Sequence, residues 1–182
     1  MHRSDAFVWS SAGHELIGRD RVAEQLAHLI RAHAVVAVVG PLGIGKTALV
    51  RRVAEREAAA GRVPPPAYAS LAGVDGARGI LERTGRALAR GYPPVESSRL
   101  VPALCALLSS TACTLIWDDA QDVPLEALAA TLAAVPPPHG PEPPCRIVIV
   151  ARDPVASSQA AVACCDSLFI LFGRHLHFSQ PQ

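Results

Sequence analysis

The chain has 182 residues, of which 50% are hydrophobic and 18% charged, with a formal net charge of +1. That length suits one domain with a substantial core, and the composition excludes a disordered or fibrous chain. Near-neutral charge gives no sign of the basic face that a nucleic-acid-binding domain presents, so no direct nucleic-acid contact is expected.

The first segment, residues 1–14, reads as a lead-in without the continuous apolar core of a signal peptide. Asp20 is placed to cap a helix over Arg21 to Ala32, in which Val22, Leu26, Leu29 and Ile30 fall on one face. Val35 to Val39 is apolar on both faces, as a central parallel strand is. The apolar run from Ala34 to Ile44 is about half of the ~20 residues a membrane span needs, and Gly40, Pro41 and Gly43 interrupt it. No membrane association is expected, and a cytoplasmic location follows.

After that strand comes the sequence GPLGIGKT, Gly40 to Thr47, which matches G-x-x-x-x-G-K-[ST] in full between a predicted strand and a predicted helix. Gly40, Gly43 and Gly45 let the backbone wrap with its N–H groups turned inward, a nest for anions at a helix N-terminus. Ile44 and Ala48 flank the contact residues and are counted with them. Lys46 is expected to reach the β and γ phosphates of a nucleotide, and Thr47 to offer its hydroxyl to Mg²⁺. The helix continues to about Ala60, where Gly61 ends it.

The three prolines of RVPPP break the chain before a weak strand candidate, Ala67 to Leu71. Helices are expected over Gly76 to Arg90 and from about Pro102 to Leu108, separated by the loop GYPPVESS. CTLIWDD is a second strong strand, with Trp117 in the core and Asp118 and Asp119 at its carboxyl end, where an open parallel sheet carries its ligand chemistry. Asp118 suits Mg²⁺ binding through a water, and Asp119 the orientation or deprotonation of an attacking water.

A helix over Leu125 to Val135 and a proline-rich loop lead to a third strong strand, Cys145 to Arg152. Arg152 at its end can stabilise γ-phosphate charge, or else pair with Asp153 at the surface. Pro154 to Cys165 reads as a short helix and Leu168 to Phe172 as a last strand. Cys105, Cys113, Cys145, Cys164 and Cys165 form no C-x-x-C pair and indicate neither a disulfide framework nor a zinc site. His175 and His177 lack thiol or acidic partners nearby in sequence and read as surface residues. Strands alternating with helices give an α/β fold, a P-loop NTPase three-layer α/β/α sandwich with a mainly parallel sheet.

ELIGRDRVAEQLAHL, VVAVVGPLGIGKTALV, PAYASLAGV, LLSSTACTLIWDDAQD and CRIVIVARDP occur in the order and spacing of the nucleotide-binding domain of STAND signalling ATPases. The chain resembles that AAA-like group, which includes NB-ARC proteins and large bacterial transcriptional regulators, over roughly residues 15–154. The resemblance implies that Ile17, Gly18 and Arg19 lie near an adenine base, which favours ATP and ADP. It makes Asp118 the Mg²⁺-associated acid, Asp119 the catalytic acid and Arg152 the sensor arginine. It further implies a switch, inactive with ADP and driven by ATP exchange into self-association or contact with protein partners. Residues 155–182 depart from the family's continuation, and the helical and winged-helix segments that follow in the family are not seen. Two outcomes remain open: a switch with slow Mg²⁺-dependent ATP hydrolysis, or a non-hydrolysing nucleotide-binding module or truncated remnant. An origin-binding or helicase-like AAA ATPase shares the glycine turn but would want a basic surface and a C-terminal helical domain.

Overall fold

The computed structural model describes residues 19–88, 96–133, 145–152, 167–172 and 175–179. Helix α1 spans Asp20–Ala32 and buries Val22, Leu26 and Ile30 on one face. It starts one residue earlier than the sequence suggests. The Ala23 N–H already bonds the Arg19 carbonyl at 2.9 Å, so Asp20 is the first helical residue and Arg19 the cap, with no side-chain cap bond. Asp20 then acts as an acid in the first turn, where it favours the helix dipole.

Strand β1, Val35–Val39, is buried throughout. Helix α2, Lys46–Ala59, follows the glycine turn and buries Leu49, Val50 and Val53; Gly61, at φ +67°, turns the chain away from it. Strand β2 is Pro66–Ser70, one residue earlier at each end than expected, with proline tolerated at the start of an edge strand. Helix α3, Ala77–Ala87, ends before Arg90, which lies outside the described residues. Helix α4 runs over Leu100–Ser109. A 3₁₀ turn at Ser97–Arg99 begins it two residues before Pro102, which still sits in the first turn, where a missing N–H costs nothing.

Strand β3 is Cys113–Asp118, helix α5 Leu125–Ala133 and strand β4 Cys145–Ala151. Strands β5, Ser167–Phe172, and β6, His175–Ser179, complete the described chain. The sequence pattern does not signal β6, which contains His175 and His177. The helix expected over 154–165, the proline-rich loop before β4 and residues 1–18 lie outside the described residues.

The six strands form one sheet in the order β2-β3-β4-β1-β5-β6. All neighbours are parallel except β5 and β6. Alternation along the central strands divides the core in two. Val35, Ala37, Val39, Leu115, Trp117, Ile147 and Ile149 pack toward α3, α4 and α5. Val36, Val38, Ile116, Val148 and Val150 pack toward α1 and α2. This is the expected α/β/α sandwich, and burial of each large apolar side chain is worth roughly 1.5–3 kcal/mol. Trp117 is fully buried, and its indole N–H donates to Thr84 Oγ1 at 3.0 Å, so the ring enters the core without an orphaned donor. On the same face Cys113 and Cys145, partners in register, bring their sulfurs to 3.4 Å.

One charged group fixes α1 against α2. Glu57 is fully buried and accepts from Arg62 through both of its oxygens, at 2.6 and 2.8 Å, and from Arg31 at 2.8 Å. The Arg62 hydrogen bonds, with help from Arg31, outweigh burial and hold the carboxyl down at about 2. A depressed folded-state value stabilises the fold above the ordinary value of 4.5, and the contribution is lost as pH falls from there through about 2. Glu57→Gln is therefore expected to lower stability at pH 7 by about 1–3 kcal/mol. Chemical denaturation at pH 7 and pH 3 should show the gap between variant and parent narrowing at the lower pH.

Candidate functional site

Because β1 to β4 run parallel, the residues that follow them emerge on one edge of the sheet. The glycine turn follows β1, Asp118 and Asp119 end β3, and Arg152 follows β4. A cavity of about 300 Å³ lies between these three segments. Among its walls are Gly43 and Gly45 from the turn, Thr47 and Ala48 from the start of α2, both acids, Gln121 and Arg152.

Gly43 and Gly45 adopt φ +77° and +87°, a left-handed region that only glycine enters at little cost. Their conformation rolls the turn around Lys46, which is 7% exposed. Its Nζ donates to the carbonyls of Gly40 and Pro41, each at 2.8 Å. Burial pushes the Lys46 ammonium below its ordinary value, Asp118 pulls it up and Arg152 adds to the depression. An anion arriving beside it would reverse that balance. Ile44 packs against the α1 and α2 side of the core, which anchors the turn from beneath.

Arg19 approaches the same turn from the start of α1. A side chain at Gly45 would place its Cβ 3.2 Å from Arg19 Nη1. That Nη1 is buried and makes no hydrogen bond to the described residues. A buried guanidinium donor without an acceptor, beside a nest of backbone N–H groups, fits a polyphosphate or the polar edge of a nucleotide. Ile17 and Gly18, expected near the base, lie outside the described residues.

Thr47 and Asp118 stand 71 residues apart in sequence and meet directly: Thr47 Oγ1 donates to Asp118 Oδ2 at 2.9 Å. A hydroxyl and a carboxylate side by side at a helix N-terminus are the hard oxygen donors that Mg²⁺ takes, together with water and substrate phosphates. Asp118 is buried, and its oxygens are further occupied by the Tyr68 hydroxyl and, at 3.0 Å, by the Asp119 N–H. Burial and the bond to Asp118 push the Tyr68 hydroxyl up, so it stays a donor across the physiological range. Arg51 lies 3.7 Å over the Tyr68 ring.

Asp119 stands just past the strand at φ 56°, the one left-handed non-glycine among the described residues. Its carboxylate meets Arg152, Nη2 to Oδ1 at 3.0 Å. The surface pairing with Asp153 left open from sequence concerns a residue outside the described set; the partner seen is Asp119. Sequence reasoning missed Tyr68, Arg51 and Gln121. Tyr68 and Arg51 stand on different elements and meet only in the fold. Gln121 stands two residues after Asp119 and was the one within reach of a local reading.

Comparison with known proteins bears on this geometry. The family described as AAA domain matches residues 30–150. None of the curated proteins matches the chain. Among solved structures, Cdc6p from Pyrobaculum aerophilum is similar at 17% identity and a TM-score of 0.61, over 81% of this chain and 42% of its own. The ORC2 protein of Aeropyrum pernix, solved as ADPNP and ADP complexes, is similar at 25% identity and a TM-score of 0.60, over 79% of this chain and 43% of its own. The chain spans less than half the length of either. Cdc6p at that identity speaks for the fold alone. Among the described residues, no helix is long and apolar enough to cross a membrane.

The two left-handed glycines separate two effects. Gly43→Ala meets nothing within 4 Å, so it is expected to cost only the left-handed strain, roughly 1–2 kcal/mol. Gly45→Ala carries the same strain and must also displace Arg19. Urea midpoints should place Gly45→Ala below Gly43→Ala; equal midpoints would mean that Arg19 does not press on the turn.

Proposed function

The chain belongs to the AAA-domain family of P-loop ATPases, and from that premise we propose that it binds ATP and ADP with Mg²⁺ and slowly hydrolyses ATP. The observation that carries this reading is the direct contact of Thr47 with Asp118. It sets the glycine turn and the acids of β3 around one cavity, with Arg152 across it. The ADPNP and ADP complexes of the similar ORC2 protein support the choice of an adenine nucleotide, as does the resemblance of Ile17, Gly18 and Arg19 to an adenine-proximal element.

In this reading Gly40, Gly43, Ile44, Gly45 and Ala48 wrap the phosphates, and Lys46 exchanges its two carbonyl partners for phosphate oxygens. Thr47 and Asp118 would hold Mg²⁺, which would supply neutralisation of phosphate charge. Asp119 accepts a proton from water as the water oxygen bonds to the γ-phosphorus. The bond from phosphorus to the bridging oxygen breaks, its electrons leave with ADP, and inorganic phosphate is released. Arg152 gives its guanidinium to the charge that gathers on the γ-phosphoryl oxygens.

The finer reading is a STAND-type switch in signalling or transcriptional regulation, resting with ADP and assembling with ATP through this domain. The ordered motif set over residues 15–154 supports it. The alternative is a module that holds nucleotide without turning it over. The Arg152–Asp119 ion pair favours that alternative to the extent that it persists with nucleotide bound, since it occupies the acid.

Calorimetric titration with Mg·ATP and Mg·ADP, with phosphate release followed in parallel, separates these readings. Lys46→Ala is expected to weaken binding by about 100-fold or more, from the loss of a charged phosphate contact. Asp119→Asn is expected to lower release by about 100-fold while leaving affinity within a few-fold. Binding without release would support the static module; no binding by the folded parent would sink the nucleotide reading itself.

A further inference from the structure

Gln121 stands in the 3₁₀ turn Ala120–Asp122 and lines the cavity, with its amide committed at both ends. Its Oε1 accepts the Arg152 backbone N–H at 3.1 Å. That donor belongs to the residue that leaves β4, where the described ladder has ended. A backbone N–H can only donate, so it fixes which end of the amide is oxygen. The nitrogen is thereby turned toward carboxylates: Nε2 lies 3.4 Å from Asp119 Oδ1 and 3.2 Å from Asp122 Oδ1.

Asp119 Oδ1 therefore has two donors of different character, the Arg152 guanidinium at 3.0 Å and the Gln121 amide. Its Oδ2 makes no hydrogen bond to the described residues. The guanidinium is charged and half-exposed, so a γ-phosphate in the cavity competes for it directly. The amide is neutral and tied to the backbone at the end of β4. When Arg152 turns to phosphate, the amide is the donor that still holds Oδ1. The distance of 3.4 Å is at the long end for such a bond.

We propose that Gln121 is a positioning residue that holds Asp119 Oδ1 through its amide nitrogen, so that Oδ2 stays turned to the attacking water while Arg152 serves the γ-phosphate. This rests on the reading of Asp119 as the acceptor of the water's proton. Gln121 touches neither nucleotide nor water in this role, so its removal should act on turnover and not on affinity.

Two variants of the full chain test it. Gln121→Glu keeps the shape and the oxygen that accepts the Arg152 N–H but turns a second oxygen to Asp119. Gln121→Leu removes both polar ends. Steady-state phosphate release, ATP and ADP affinity and single-turnover rates in the Asp119→Asn background are measured for each. Both variants are expected to lower kcat about tenfold, the scale of one hydrogen bond to a charged group. Gln121→Glu should lose at least as much as Gln121→Leu, KM and Kd should stay within about threefold, and neither should slow Asp119→Asn further.

A residue that only braces the fold would rank the variants the other way, because glutamate is the better isostere, and its losses would multiply with Asp119→Asn. Parental kcat in Gln121→Glu, multiplying losses, or a change confined to KM would each overturn the proposal while leaving the ATPase reading intact. Lys46-dependent binding with no phosphate release by the parent chain would overturn both. If Gln121→Leu does not fold, Gln121→Glu alone and with Asp119→Asn still decides the matter.

Discussion

Asp118 is a buried carboxylate, and a buried charge must be compensated or the fold loses stability. Its compensation comes from three directions: the Thr47 hydroxyl, the Tyr68 hydroxyl and the Asp119 backbone N–H. These donors belong to the N-terminus of α2, to edge strand β2 and to the turn after β3. The sheet already pairs β2 with β3, Ser70 beside Asp118, but β4 separates β3 from β1, so Asp118 adds a tie that the sheet does not make: the N-terminus of α2, after β1, reaches across β4 to meet the acid. The geometry of the cavity follows from that reach.

A second buried carboxylate, Glu57, is compensated in the opposite way. Arginines neutralise it, hold it near a value of 2 and give it no further role than fastening α1 to α2 and to the chain after α2. Around Asp118 the donors are neutral hydroxyls and a backbone amide. Neutral donors satisfy the lone pairs without cancelling the charge, and two of them, being hydroxyls, can turn to accept as well as donate. An arginine in place of Tyr68 would hold the acid as firmly and would also expel any divalent cation. The contrast separates a carboxylate neutralised by arginines from one that keeps its charge among neutral donors, which is what the Mg²⁺ role proposed for Asp118 requires.

Legibility from sequence divides along the same line between local and assembled features. Strand β1, the glycine turn and α2 were readable because one run of residues contains both the pattern and its cause. The apolar face of α1, the burial of Trp117 and the acids at the end of β3 were readable for the same reason. The α1 and α4 starts shifted by one and two residues, since a first turn is set by which carbonyl the early N–H groups find and not by the best capping residue. The strand order, the pairing of β5 with β1 and the antiparallel β6 have no counterpart in local pattern. Tyr68 reads as one aromatic in a weak strand until β2 lies beside β3. Its place at the end of a parallel strand puts Arg152 on the edge that carries the glycine turn, but its partner is a residue 33 positions away.

Every charged group that lines the cavity already has something to hold. Lys46 is on two carbonyls, Arg152 is on Asp119, and Asp118 is on hydroxyls and an amide. A phosphate must therefore displace an existing contact at each step, and the net affinity is a difference between what it makes and what it breaks. A single small anion could draw Lys46 from its carbonyls but would leave the Arg152–Asp119 pair untouched. A chain of phosphates long enough to reach Arg152 gains a second cation and at the same time frees Asp119. The left-handed turn at Asp119, which costs about 1–2 kcal/mol in a non-glycine residue, holds the acid where that exchange occurs. In the proposed reading, recognition of the terminal phosphate and exposure of the acid would be the same event, because one guanidinium would serve both partners in turn.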